Sequence, residues 1–264
     1  MNPSPDDRSF VALSDGLNTR VVGCNILYYP RLSSTMDVAR EQARLSAPEG
    51  TVVMADEQMA GRGRLKRSWI APAGNIALSV LLYPPMTAIP SLIMLASLGV
   101  VQAIEAVADL KADIKWPNDI LVNGKKVSGI LIETDARSSA EGRAGYAIIG
   151  IGINVNLSPS DFHEIESTAT SLSLESNQTP TRVEIIRRLL NELDSLYLTL
   201  RAGGSLFEEW RDRLITLGKP VRVTSTGDGF DGVAESVDRD GSLFVRRQDG
   251  LLTRVVAGDV TLRG

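Results

Sequence analysis

Residues 61–69 read Gly61-Arg62-Gly63-Arg64-Leu65-Lys66-Arg67-Ser68-Trp69. Four cations fall within six of these residues, in a chain whose net charge is -4. Gly61 and Gly63 leave the backbone free to bend and to approach a ligand closely. An acidic chain that concentrates cations in one glycine-punctuated loop points to a small anionic ligand. A nucleic-acid surface would spread its cations along a face or a helix. Alone, such a run is more often a solvated turn or an RNA contact, so its surroundings must decide.

Working outward, residues 51–56 form a short apolar strand ahead of the loop, and 20–29 are β-rich. Ser34-Thr35 open a helical segment that runs to Leu45, with Ser34 or Thr35 as N-cap and Asp37 in the first turn. Beyond the loop, 75–83 is a buried strand by its apolar run, closed by Pro84-Pro85. Residues 90–110 read as a helix with proline at its start. Ile120 to Val122, Asn123-Gly124 and Lys125 to Glu133 predict a β-hairpin. A strand at 145–156, an amphipathic helix at 182–200 and a second helical stretch at 205–214 follow. From Lys219 on, short strands at 221–223, 230–235, 242–247 and 251–256 alternate with glycine turns. They predict a small all-β unit that buries little core alone and docks on the rest. The expected division is a lead-in at 1–18, a main domain at 19–216 and the β unit at 217–264.

The composition excludes several chemistries. Cys24 and His163 are the only residues of their kinds, so neither an internal disulfide nor a Cys/His metal site can form. His163 sits in a polar stretch with no motif around it. No apolar leader opens the chain, and the apolar run 91–107, broken by Gln102 and Glu105, is expected to be too short to span a bilayer. The chain therefore reads as cytoplasmic, with no membrane partner. There is no P-loop pattern. Gly150-Ile151-Gly152-Ile153-Asn154 offers two glycines of a dinucleotide fingerprint, with strand where a helix should begin.

What remains is a set of motifs in order: Ser34-Thr35, Gln58, the 61–69 loop, Lys115-Trp116-Pro117-Asn118-Asp119, Lys126-Val127-Ser128-Gly129-Ile130-Leu131, and Gly150 to Asn154. Together they resemble the biotin protein ligases, from about Ser33 to the end of the chain. Each has a bland reading: Trp69 as core, Trp116-Pro117 as structural, Asn118-Asp119 as a turn, Lys126 as a solvated hairpin charge, Gly150 and Gly152 as packing aids. The bland readings are independent, and all would have to hold together.

The residue types make chemical sense without the family. If a carboxylate must attack the α-phosphate of ATP, two anions have to meet and charge builds on phosphorus. Positioned cations and backbone N–H groups then catalyse, with no enzyme nucleophile. A closing loop would protect the hydrolysable acyl adenylate.

The resemblance implies the parts. Ser34, Thr35 and Gln58, with Met36 beside them, line the pocket for the biotin ureido ring. The backbone of Gly61, Arg62, Gly63 and Arg64 wraps biotin and phosphate, and Trp69 gives an apolar wall. Arg62 and Arg64 face the carboxylate and α-phosphate, Lys126 reaches both, and Gly129 admits the biotin tail. Arg67, Lys115, Asn118 and Asn154 are expected on the nucleotide side, and Asp119 is the place to look for Mg²⁺. Two departures stand out. Many relatives carry Asn where this chain has Met36, and Thr253 to Asp259 lacks the aromatic residue that some use to stack on adenine.

The implied fold is α+β: a central mixed β-sheet with helices packed on one side, of class II synthetase type, plus a small C-terminal SH3-like β-barrel. The implied reaction uses biotin and MgATP, and its acceptor is a lysine on the biotin carboxyl carrier domain of acetyl-CoA carboxylase or a related carboxylase. A lipoate or octanoate ligase shares the logic but favours an Arg-Arg-x-x-Gly-Gly-Gly loop that is missing here. About thirty residues precede Ser34, part of them strand-like, so a DNA-binding winged helix is not expected. Relatives form homodimers by sheet extension; no motif here decides the oligomeric state.

Overall fold

The computed structural model describes residues 13, 16–135, 145–177, 181–224, 229–256 and 258–263. The main sheet has the order β1-β2-β4-β8-β7-β6-β5, with β3 paired to β2. Its strands are β1 (Asn25–Leu32), β2 (Thr51–Arg62), β3 (Ser68–Ala71), β4 (Ile76–Leu82), β5 (Asp113–Lys115), β6 (Asp119–Val122), β7 (Lys125–Asp135) and β8 (Tyr146–Ile153). Only β1 and β2 run parallel; the other pairs are antiparallel. A parallel pair needs a crossover, and helix α1 (Thr35–Arg44) supplies it.

β4 is buried along its whole length, Ser79 included, and its largely apolar run fits a central strand covered on both faces. Alternation splits the sheet's side chains into two layers. Val52, Met54, Ile76, Leu78, Val80, Ile149 and Ile151 face the larger core, with α2 (Leu92–Ala108) and α3 (Arg182–Arg201). Val53, Ala55, Leu81 and Ile148 face a smaller core under Met36 and Ala39 of α1. The helices on one side are thus α2 and α3, while α1 covers part of the opposite face. α3 opens with a capping box, Thr181 and Glu184 each bonding the other's backbone N–H, which satisfies donors the helix start leaves free.

The length expectation for the apolar stretch needs correcting. With the 3-10 turn before it, Met86–Ala108 is long and apolar enough to cross a membrane by length and composition. In the fold its residues Leu92, Leu95, Leu98, Val101 and Ile104 are core.

A short helix, α4 (Phe207–Asp212), leads to the C-terminal β unit. That unit is an antiparallel sheet of order β12-β11-β10-β9-β13. Its strands are β9 (Pro220–Thr224), β10 (Phe230–Val237), β11 (Leu243–Arg247), β12 (Leu252–Val255) and β13 (Asp259–Leu262). Val221, Val223, Leu243, Val245 and Val260 join the same hydrophobic cluster as the main domain. Trp116 fastens the two: its N–H donates to Thr216 Oγ1 at 2.9 Å and its indole N–H to the Gly241 carbonyl at 2.8 Å. Leu13, within the expected lead-in, is buried in the main core.

Candidate active site

The face of the sheet that carries α1 is unusually bare. Gly129 of β7 pairs with Gly152 of β8, and Ala77 and Ser79 of β4 pair with Gly152 and Gly150. Without side chains there, the backbone is a floor. Trp69 lies on it: a Cβ on Gly152 would collide with the indole, and one on Gly129 would come within 3.0 Å of Cζ3. Met36 fills the space over Gly150, its Sδ 2.6 Å from where a Cβ would stand. The packing reading of Gly150 and Gly152 is therefore right, and the packing is part of the site.

Above this floor opens a cavity of about 770 Å³. Its lining includes Ser34, Thr35, Met36, Gln58, Arg62, Gly63, Arg64, Arg67, Trp69, Lys115, Asn118, Asp119, Lys126, Gly129 and Asn154. Of the residues expected at the site, Gly61 alone is not on this wall. It lies in β2, where a side chain would strike the Trp69 carbonyl. The cationic run is accordingly a hairpin rather than one open loop. Gly61 and Arg62 end β2, Ser68 and Trp69 begin β3, and the Gly63 N–H donates to the Arg67 carbonyl at 2.7 Å. Leu65 and Lys66 at its tip have φ of 52° and 62°, left-handed values that cost a side-chain-bearing residue energy.

One end of the cavity is neutral and polar. Gln58 Oε1 accepts from the Thr35 N–H at 2.8 Å and from Thr35 Oγ1 at 3.1 Å, and Thr35 Oγ1 lies 2.8 Å from Ser79 Oγ. Ser34 Oγ is buried with no hydrogen-bond partner among the described residues, which costs energy unless a ligand completes it.

The other end is cationic, and the charges of Lys126, Arg64 and Arg67 are paired. Lys126 forms an ion pair with Asp119, with its Nζ 5.6 Å from the centre of the Trp69 ring. Arg64 donates to Asn118 Oδ1 and to the Gly258 carbonyl, both at 2.9 Å. Burial pulls the Arg64 guanidinium below its ordinary pKa, and the carboxylates of Asp259 and Asp119 act against that. Arg67 pairs with Asp259 of β13. Asn118 also donates to the Ile130 carbonyl at 2.8 Å. Asn154 is buried and donates to the Thr170 carbonyl at 3.0 Å. Arg62 points elsewhere, to Asp37 and Glu133.

Sequence reasoning missed three contributors. Asp259 brings the C-terminal sheet to the Arg64–Arg67 turn. Glu133 and Asp37 hold Arg62. Residues 164–169 form a wall, laced to β7 by the Lys126 N–H on the Thr168 carbonyl and the Thr170 N–H on the Lys126 carbonyl. Nothing in the chain marked that wall as part of a site. His163, by contrast, is fully exposed beside Glu166, outside any cavity chemistry.

A sequence profile of the biotin/lipoate A/B protein ligase family matches residues 28–154, and one of the biotin protein ligase C terminal domain matches residues 216–263. The chain is 40% identical over 253 residues to the bifunctional ligase/repressor BirA of Bacillus subtilis, covering 94% of this chain and 77% of that one. It is 35% identical over 238 residues to the biotin–[acetyl-CoA-carboxylase] ligase of Mycobacterium tuberculosis, covering 86% of this chain and 85% of that one. The biotin protein ligase from Aquifex aeolicus in complex with biotin and ATP superposes with a TM-score of 0.74 at 26% identity, over 91% of this chain and 99% of that one. The chain belongs to the biotin/lipoate A/B protein ligase family, and within it to the biotin protein ligases.

Proposed function

We propose that this protein activates biotin with ATP as biotinyl-5′-AMP and transfers it to a lysine of a biotin carboxyl carrier domain. The observation that carries the reading is the polarity gradient of a single cavity: neutral donors and acceptors at one end, a bare glycine floor, then clustered cations. Biotin has the same sequence of parts, a neutral polar ring, an apolar tail and a carboxylate. Ser34, Thr35 and Gln58 take the ureido ring, Trp69 and Gly129 the tail. Lys126 and Arg64 stand at the carboxylate and α-phosphate, and Arg67, Lys115, Asn118 and Asn154 on the nucleotide side.

In the first half-reaction a carboxylate oxygen attacks the α-phosphorus and pyrophosphate leaves. Lys126 exchanges Asp119 for the incoming anions, and its charge is already in place where negative charge builds. In the second, the carrier amine attacks the acyl carbon and AMP leaves. Mg²⁺ is expected with ATP. No cluster of three or more metal-ligating side chains exists among the described residues. The donor set fits a cation carried in on the phosphates, where it would neutralise their charge, with Asp119 as a carboxylate partner.

Lipoate would enter the same slot with an apolar ring and leave Ser34 Oγ unpaired, which disfavours it. The test is incubation with biotin, MgATP and a carrier domain, followed by mass analysis. One biotin on a single carrier lysine supports the reading; an unmodified carrier overturns it.

A further inference from the structure

Four charged side chains close a ring beside the cavity, and Arg62 is the one that also lines it. Arg62 Nη2 lies 2.9 Å from Asp37 Oδ1, and its Nη1 lies 3.2 Å from Glu133 Oε1. Arg40 lies 2.8 Å from the same Asp37 oxygen and 2.5 Å from Glu133 Oε2. Each carboxylate serves two guanidiniums, and each guanidinium serves two carboxylates. Asp37 and Arg40 come from α1, Glu133 from β7 and Arg62 from the end of β2.

Those three elements all border the cavity. α1 begins at Thr35, with Ser34 as its N-cap; β7 carries Lys126 and Gly129; Arg62 precedes Gly63 in the cationic hairpin. The ring therefore ties the end of β2 to α1 and to β7, a strand that is not its direct neighbour in the sheet. A single half-exposed ion pair would contribute little, but a closed network shares its ordering cost over several links. Arg62 also differs from Lys126. Lys126 faces one carboxylate, Asp119, which an incoming anion can displace. Arg62 faces two carboxylates, each held in turn by Arg40.

Given the ligase reading above, we propose that Asp37, Arg40 and Glu133 are positioning residues that clamp Arg62, and that this clamp holds the stem of the hairpin shut over the acyl adenylate. Arg62 then acts on Asp37 and Glu133, not on the phosphate. This reassigns the role that the sequence resemblance implied for it. The acyl adenylate is lost to water if the hairpin opens, so the clamp governs retention of the intermediate more than its formation.

The experiment compares the wild type with the isosteric double variant Asp37→Asn/Glu133→Gln. Amide hydrogen exchange at 61–63 is read without ligand, and release of preformed radiolabelled biotinyl-AMP is read separately. The clamp predicts that the double variant exchanges and releases about tenfold faster, the size typical of coupled charged neighbours. Its maximal rate of biotin-dependent pyrophosphate exchange should stay within about twofold, because the transition-state groups are untouched. Arg62→Gln should reproduce the faster exchange and release, and Arg62→Lys should restore part of both. Unchanged exchange at 61–63, or unchanged adenylate release, in the double variant overturns the proposal. If the wild type forms no adenylate, the ligase reading fails, while the exchange data still decide whether the ring holds the stem.

Discussion

The indole of Trp69 rests on the backbone of Gly152: a Cβ added to that glycine would overlap Cε2, Nε1 and Cζ2 of the ring. Gly152→Ala must therefore expel the indole from the floor or push β8 aside. Overpacking of this kind costs about 1–3 kcal/mol, and the apolar wall is lost with it. The expected result is a lower melting temperature and biotin binding weakened about tenfold or more. Calorimetric titration with biotin checks this, and wild-type affinity would show that Trp69 is no part of the biotin wall.

Lys126→Ala removes the charge proposed to meet the reacting carboxylate and α-phosphate. Loss of one preorganised electrostatic group lowers kcat about 10²-fold or more. Adenylate formation should fall by that order at saturating biotin, and a near-normal rate would remove Lys126 from the chemistry.

Asp259→Asn tests the link between the C-terminal sheet and the cationic hairpin. Arg67 would lose its carboxylate partner, whereas Arg64 keeps Asn118 and the Gly258 carbonyl. The KM for ATP should rise about twofold to fivefold, the size expected of an ion pair whose arginine is largely exposed, while the KM for biotin barely moves. A change confined to biotin would contradict the assignment of Arg67 to the nucleotide side.

Glu175 predicts an acid limit to the wall beside Lys126. Thr170 Oγ1 and Asn123 Nδ2 donate to its two oxygens at 2.5 and 2.6 Å, and these bonds, Thr170 first, hold its carboxyl below the ordinary value. A carboxylate depressed on folding contributes stability that is complete above its unfolded pKa and is lost as pH falls through its folded pKa. Glu175→Gln should thus be less stable than the wild type at neutral pH, with the gap closing in that acid window. Chemical denaturation at several pH values measures it, and a constant gap would mean that ionisation plays no part.

Much of this fold could be read from local signals. The Asn123-Gly124 pair fixed the β6–β7 hairpin, and both residues have positive φ, 50° and 78°. The apolar run of β4 and the helical spacing of α3 appear where pattern placed them. β3, β5 and β13 escaped because at three or four residues they carry no usable periodicity and lack the apolar clusters that made the equally short β6 and β12 legible, and β3 begins inside a cationic run that reads as loop. The cavity lining was legible where types and spacing suggest chemistry: Lys126, Gly129 and Asn118 all fall on its wall. It was illegible where distant charges meet. Nothing near Asp259 in sequence announces Arg67, and nothing near Glu133 announces Arg62, because such pairs exist only once the sheet has formed.

The measurement that bears most directly on the central claim is exchange of labelled pyrophosphate into ATP, run in parallel with biotin, lipoate and octanoate. Exchange supported by biotin alone is the predicted result, because the neutral polar end of the cavity suits a ureido ring. Exchange supported by lipoate or octanoate and not by biotin would contradict that assignment of Ser34, Thr35 and Gln58. Exchange with none of the three acids would contradict the adenylation reading itself.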